Sequence, residues 1–117
     1  MGEMAMLTIE QLQSFGANTK EGLERCLNDE GFYLGLIPSA LDKSIYDGLE
    51  KAIKEHDLDA AFDAAHALKG VLGNLALTPI YEPVSEMTEL LRARQEADYE
   101  GMLKTVYEKR DALTAML

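Results

Sequence analysis

One histidine in this chain has neighbours suited to group transfer. His66 lies in "AAHALKGVLGN", residues 64–74, with Lys69 three residues later and Gly70 directly after the lysine. A neutral imidazole is a competent nucleophile at cellular pH and forms a labile bond to phosphorus. A lysine one helical turn away can neutralise charge on a phosphoryl group. The spacing therefore points to phosphoryl transfer through His66, with any magnesium ion coming from the partner.

The face of the helix that carries His66 differs from the apolar stripe of the same segment. Each residue turns a helix by about 100°, which places the alanines and leucines on the side opposite His66: Ala61, Ala64, Leu68, Leu72 and Leu75. The histidine's own side has Asp59, Phe62, Lys69, Gly70 and Gly73, with Asn74 next to it. A glycine inside a helix costs about 1 kcal/mol relative to alanine. Two glycines on one face therefore predict a docking surface without protruding side chains, which another molecule can approach closely.

Its position opposite the apolar stripe excludes His66 from the core, but two other interpretations remain open at this stage, namely a surface histidine without function and a metal ligand. The second histidine, His56, is not at the i, i+4 spacing of a helical metal pair, and we expect it only to complement a helix C-terminus. Asp63 faces a similar direction to His66, but one carboxylate and one imidazole make a weak ligand set. We expect no metal site and no cofactor.

Composition excludes several function classes. The 117 residues include 11 Lys and Arg against 21 Asp and Glu, a net charge of -10 that would repel nucleic acid and anionic membranes. No apolar run is long enough to cross a bilayer, and the acidic N-terminus is not that of a secretory signal. The single cysteine, Cys26, has no partner for an intramolecular disulfide and is expected to be a buried thiol. We therefore expect a cytoplasmic monomer.

Apolar spacing is helical almost throughout, which predicts an all-α protein. We expect residues 1–7 to be an N-terminal extension without fixed order and residues 8–117 to be a single domain. Two short N-terminal helices are predicted, one ending before Gly16 and one capped by Asn18 or Thr19. They should pack across an antiparallel four-helix bundle, since four longer helices with short links favour that architecture.

The boundaries of the four longer helices follow from turn and cap signals. The first is predicted as one helix reaching the end of "KAIKEH", kinked or broken at Pro38, with an apolar stripe at Leu34, Ile37, Leu41, Ile45, Leu49 and Ile53. Asp57 should cap the helix that carries His66, which should end near Leu77. Thr78 should cap the third helix and Asp98 the last.

Residues 66–70, "HALKG", resemble the H-x-L-K-G motif of histidine-containing phosphotransfer (HPt) domains, and "GANTKEGLERCLNDEGFYLGLI" resembles the N-terminal segment of such modules. The resemblance implies that His66 accepts a phosphoryl group from a receiver-domain aspartate and passes it to another. It also implies that Lys69 steadies the group, that Gly70 clears the approach, and that the partners are response-regulator receiver domains and a hybrid sensor kinase.

Two other functions stay in view beside the phosphocarrier. A helical adaptor could bind receiver or kinase domains through the same face without being phosphorylated. Autokinase activity is a weaker alternative, because the chain has neither a P-loop nor a kinase-type glycine loop. We therefore predict a phosphocarrier and not an enzyme.

Overall fold

The computed structural model describes residues 7–117, and in this part of the chain helices are the only regular secondary structure, without a strand. Its helices, in chain order, are α1 (Ile9–Phe15), α2 (Thr19–Arg25), α3 (Glu30–Leu41), α4 (Ser44–Lys54), α5 (Leu58–Asn74), α6 (Thr78–Arg92) and α7 (Tyr99–Thr114). The predicted all-α class is confirmed. Leu7, which the sequence assigned to an N-terminal extension, is buried against the core. Residues 1–6, the rest of that predicted extension, lie outside the described part.

Side-chain caps begin three of the seven helices at the predicted places. Asn18, Asp57 and Asp98 each accept a hydrogen bond from a backbone N–H in the first turn of the helix that follows. Gly16 ends α1 in the left-handed conformation, with φ of 110°, which favours glycine. Local signals in the sequence are therefore sufficient to fix these four helix boundaries.

The predicted long helix with a break at Pro38 is wrong, because the chain forms two helices and the break comes later. Pro38 lies inside α3, and the chain leaves the helix at Asp42, whose backbone is extended. Asp42 Oδ1 then accepts a hydrogen bond of 2.9 Å from the backbone N–H of Ser44, at the start of α4. A short aspartate side chain that competes for a backbone donor explains why the helix is interrupted here and not at the proline.

This interruption changes which side of α4 faces the core. Ile45, predicted to lie on the apolar stripe, is exposed, whereas Tyr46 is fully buried. The Tyr46 hydroxyl donates a hydrogen bond of 2.8 Å to the carbonyl of Ala40 in α3. A continuous helix would have kept Ile45 in register with Leu41, so the error in the stripe follows from the missed break.

The end of α5 also differs from the prediction. The helix ends at Asn74 and not near Leu77, because Ala76 adopts a left-handed conformation with φ of 54°. The backbone N–H of Leu77 donates to the carbonyl of Leu72, five residues earlier, as in a Schellman motif. Such motifs usually contain glycine, and its absence here left no stop signal. Thr78 is consequently the first residue of α6 and not its side-chain cap.

The four C-terminal helices pack closely with one another, and α5 holds a central place among them. It packs against both α4 and α6, while α7 contacts α6, α4 and α3. The N-terminal helices reach the C-terminal end of α5 through hydrogen bonds from the Asn18 backbone to Ala76 and from the Tyr33 hydroxyl to Leu75. This packing fixes the rotation of α5 and so decides which residues it exposes.

Candidate functional site

His66 lies in the middle of α5, on the face away from the core. The opposite face is buried and consists of Ala61, Ala65, Leu68 and Leu72. His66 itself is exposed. A helix buried along one stripe keeps the remaining side chains in solvent at fixed angles. The predicted position of His66 opposite the core is therefore confirmed, and the imidazole is accessible from outside the protein.

Phe62, one turn before His66, lies against the imidazole. The two rings are stacked, with centroids 5.6 Å apart and planes inclined by 17°. Arg92 from α6 places its guanidinium carbon 5.0 Å from the centroid of the Phe62 ring. Phe62 is partly buried in this stack, so it limits the positions that the imidazole can adopt.

Lys69 lies one turn after His66 and is held by the neighbouring helix. Its Nζ is 3.6 Å from Glu89 Oε2 of α6, and only 25% of its side chain is exposed. Glu89 also accepts a hydrogen bond of 3.2 Å from Arg92 Nε. That hydrogen bond, with the nearby charges of Arg92 and Lys69, lowers the pKa of Glu89 below its usual value. The carboxylate is thus ionised between two cations at the edge of the site.

Beside His66 the surface forms a shallow open depression, which we call the His66 hollow. Seven residues line it: Arg25, His66, Lys69, Gly70, Gly73, Asn74 and Tyr81. No carboxylate is among them, although the chain carries a net charge of -10. The lining therefore presents cations and polar groups to any molecule that approaches the imidazole, which favours an anion.

The two glycines of the predicted docking face behave differently. A Cβ placed on Gly70 would meet no atom within 4 Å, so this position is open as predicted. A Cβ on Gly73 would lie 3.2 Å from Cε2 of Tyr81, which is tighter than an ordinary contact. The space beside Gly70 is therefore unoccupied, whereas Gly73 makes room for a side chain of the protein itself.

The structure brings only some of the predicted docking residues together. Lys69, Gly70, Gly73 and Asn74 line the hollow with His66, but Asp59 does not. Asp59 forms an ion pair with Arg94 and lies in a separate depression, whose lining also includes Phe62 and Arg92. Phe62 lines this second depression and contacts the imidazole of His66, which lines the hollow.

Sequence reasoning missed four residues around His66, all from other helices. Arg25 of α2 donates a hydrogen bond to the carbonyl of Gly73 and pairs with Glu21. Tyr81, Glu89 and Arg92 come from α6. No spacing relates these residues to His66, because they are brought close by packing between helices and not by periodicity within one helix.

The second histidine is separate from this site. His56 follows α4, and its Nε2 lies 3.3 Å from Oε1 of Glu96, with both side chains mostly exposed. Within residues 7–117, no group of three histidine, cysteine or carboxylate side chains is placed to hold a metal ion. In the same part of the chain, no helix is long and apolar enough to cross a membrane.

Comparison with known protein families matches residues 43–117 to the Hpt domain. The matched segment covers more than half of the chain, begins just before α4 and includes His66 and the helices α4 to α7. The helices α1 to α3, with Arg25, lie outside it. No curated protein and no solved structure was found to match the chain. With an all-helical fold and a motif histidine exposed on a central helix, the chain belongs to the Hpt domain family, whose members are phosphocarriers of two-component signalling.

Proposed function

We propose that this protein is a histidine phosphotransfer protein of a phosphorelay and that His66 is the residue phosphorylated. The donor is a receiver domain with a phosphorylated aspartate, and a second receiver, or the receiver of a hybrid sensor kinase, takes the group onward. The observation that supports this most directly is an exposed motif imidazole beside a hollow with two cations and no carboxylate. An incoming phosphoryl group meets complementary charge there and little steric obstruction.

The chemical step needs only atoms that the two proteins supply. The unprotonated ring nitrogen of His66 attacks phosphorus as the acyl phosphate bond of the receiver breaks, and the aspartate carboxylate leaves with the bonding electron pair. The other ring nitrogen keeps its proton. Reversal of the same step on a second receiver passes the group on. Magnesium comes with the receiver and neutralises charge on the phosphoryl oxygens.

Three residues around His66 have assigned roles in this proposal. Lys69 contributes positive charge to the phosphoryl group, because it follows His66 by one helical turn and lines the same hollow on a flexible stem. Gly70 lets the rim of the receiver approach, since nothing occupies the space beside it. Phe62 restricts the imidazole through the ring stack. The four helices α4 to α7, arranged as an antiparallel bundle, supply the rigid support for this face.

The direct test is phosphoryl acceptance by His66→Gln. Glutamine is a good helix former at an exposed position, so the fold and the denaturant midpoint should be unchanged. The wild-type protein, incubated with a phosphorylated receiver and magnesium, should gain an acid-labile, base-stable phosphate, and the variant should gain none. His56→Gln, the matched control at the other exposed histidine, should accept phosphate normally.

Two outcomes would contradict the proposal. If His66→Gln still accepts phosphate, another residue is the acceptor. If the wild-type protein binds receivers but is not phosphorylated by any receiver of its own organism, the protein is a helical adaptor. The second function would then use the same face without covalent chemistry.

A further inference from the structure

Glu89 occupies an unexpected position for a carboxylate beside a phosphate-accepting histidine. It lies on α6, and its Oε2 is 3.6 Å from Nζ of Lys69. The guanidinium of Arg92 donates to the same carboxylate through Nε at 3.2 Å and Nη2 at 3.4 Å. One carboxylate therefore holds two of the cations that lie around His66.

These contacts form a chain of side chains that ends on the imidazole. Arg92 lies over the Phe62 ring, and Phe62 stacks on His66. Lys69, the other cation that Glu89 holds, lies on α5 one turn after His66. The carboxylate is thus linked to the imidazole through Arg92 and Phe62, and it also holds Lys69, which lines the same hollow as His66.

We propose that Glu89 is a positioning residue that competes with the phosphoryl group for Lys69 and thereby sets how strongly His66 holds phosphate. This inference rests on the proposed function. When His66 is bare, Lys69 pairs with Glu89. When His66 is phosphorylated, the phosphoryl oxygens offer Lys69 a more highly charged partner, and the lysine must leave Glu89 to reach them.

A carrier requires such competition for a physical reason. It must accept a phosphoryl group from one protein and release it to another, so the phosphorylated state must be neither too stable nor too unstable. If Lys69 were unpaired, it would stabilise only phosphorylated His66 and favour retention of the group. Pairing with Glu89 stabilises the bare state as well, which brings the two states closer in free energy.

The variant Glu89→Gln removes the charge and keeps the size of the side chain. Because exposed ion pairs are weak, we expect the equilibrium between phosphorylated receiver and phosphorylated His66 to shift about threefold to fivefold toward His66. Forward transfer to the second receiver should slow accordingly. Glu86→Gln is the matched control, since Glu86 is an exposed carboxylate of α6 without an ion pair to any residue from 7 to 117. It makes the same change in net charge and should leave the equilibrium constant unchanged.

The experiment measures the equilibrium constant of transfer in both directions for wild type, Glu89→Gln and Glu86→Gln, each alone and combined with Lys69→Ala. Phosphorylation by phosphoramidate, a small-molecule donor, is measured in parallel. The shift caused by Glu89→Gln should disappear in the Lys69→Ala background, because the carboxylate acts through the lysine. Equal denaturant midpoints would show that the shift does not come from a loosened fold.

Three results would overturn the inference. These are an effect of Glu89→Gln no larger than that of Glu86→Gln, a shift toward the receiver, and a shift that persists undiminished without Lys69. Failure of the proposed function would look different, because then neither the receiver nor phosphoramidate would place a phosphate on His66 of the wild-type protein.

Discussion

The inner face of α5 consists of small and branched apolar side chains that are almost completely buried, such as Ala65 and Leu72. The outer face carries an exposed imidazole, a lysine paired across to α6, and a glycine with open space around it. The inner face contributes to the free energy of folding, and the outer face contributes polar and charged groups that folding does not require. Stability and phosphoryl transfer should therefore respond to different substitutions in the same helix.

The largest predicted effect is a loss of stability in Leu72→Ala, on the inner face of α5. Leu72 is fully buried, and its truncation removes apolar contacts and leaves a cavity in the core. The free energy of unfolding should fall by about 2–5 kcal/mol, measured by denaturant titration. Val71→Ala, at the neighbouring residue, whose exposed fraction is 39%, is the matched control and should cost well under half as much. Transfer by the folded fraction should be unchanged, and a specific loss of transfer would show that the two faces are coupled.

Gly70→Gln tests the outer face of α5 by adding a side chain there. Glutamine restricts the unfolded chain and favours helix, so the protein should become more stable by about 0.5–1 kcal/mol. The side chain would also stand where a receiver must approach, and misplacement of the reacting atoms by about 1 Å can slow transfer about a hundredfold.

Ala67→Gln, also exposed on α5 but outside the His66 hollow, provides the control for Gly70→Gln and should leave transfer intact. Unchanged transfer in Gly70→Gln would refute the docking role of this face. Reduced stability would mean that Gly70 is packed against a neighbouring group.

Tyr33 of α3 is also part of the buried core, and it connects α3 to the C-terminal end of α5. Its buried hydroxyl donates a hydrogen bond of 2.7 Å to the carbonyl of Leu75. Tyr33→Phe would leave that carbonyl without this partner and should lower the free energy of unfolding by about 1–3 kcal/mol. Phosphoryl transfer should not change, because the contact lies beneath the surface that carries His66.

Tyr33 should also contribute to how the free energy of unfolding depends on pH in alkaline solution. Burial raises the pKa of Tyr33 to about 12, above its ordinary value of 10.0. The folded state thus favours the neutral phenol, and this contribution is intact below pH 10 and is lost as the pH rises toward 12. Tyr33→Phe should therefore lose less stability than wild type over that range in denaturant titrations. An identical decline in both proteins would show that Tyr33 does not contribute.

The smallest effect should come from Lys69→Ala. The lysine supplies charge and not the bond-forming atom, so transfer should slow only several-fold and phosphorylated His66 should hydrolyse faster. Its ion pair with Glu89 is at the surface and contributes little to the free energy of folding. Lys51→Ala, at an exposed lysine of α4, is the control for the lost charge. Complete loss of acceptance, or loss of the fold, would give Lys69 a different role from the one assigned.

Much of the fold could be predicted because its signals are local. Asn18, Asp57 and Asp98 cap helices at their own positions, and the apolar spacing of α5 alone places His66 opposite the core. The errors arose where local signals compete. The apolar spacing runs on past Pro38 without a break, but hydrogen bonding by the Asp42 side chain ends the helix at that residue. At Ala76 a left-handed residue ends α5 although it is not a glycine.

The sequence by itself determined the helical class, the exposed position of His66 and the neighbours that share its helix, because the 3.6-residue period relates residues a few positions apart. Only the tertiary structure decided which residues from other helices complete the site. Arg25 is far from His66 in the chain and reaches the hollow because α2 packs at the end of α5, and Glu89 meets Lys69 because α6 packs beside it. The register between two packed helices depends on the mutual fit of many side chains from both helices. No local pattern in either helix contains that information.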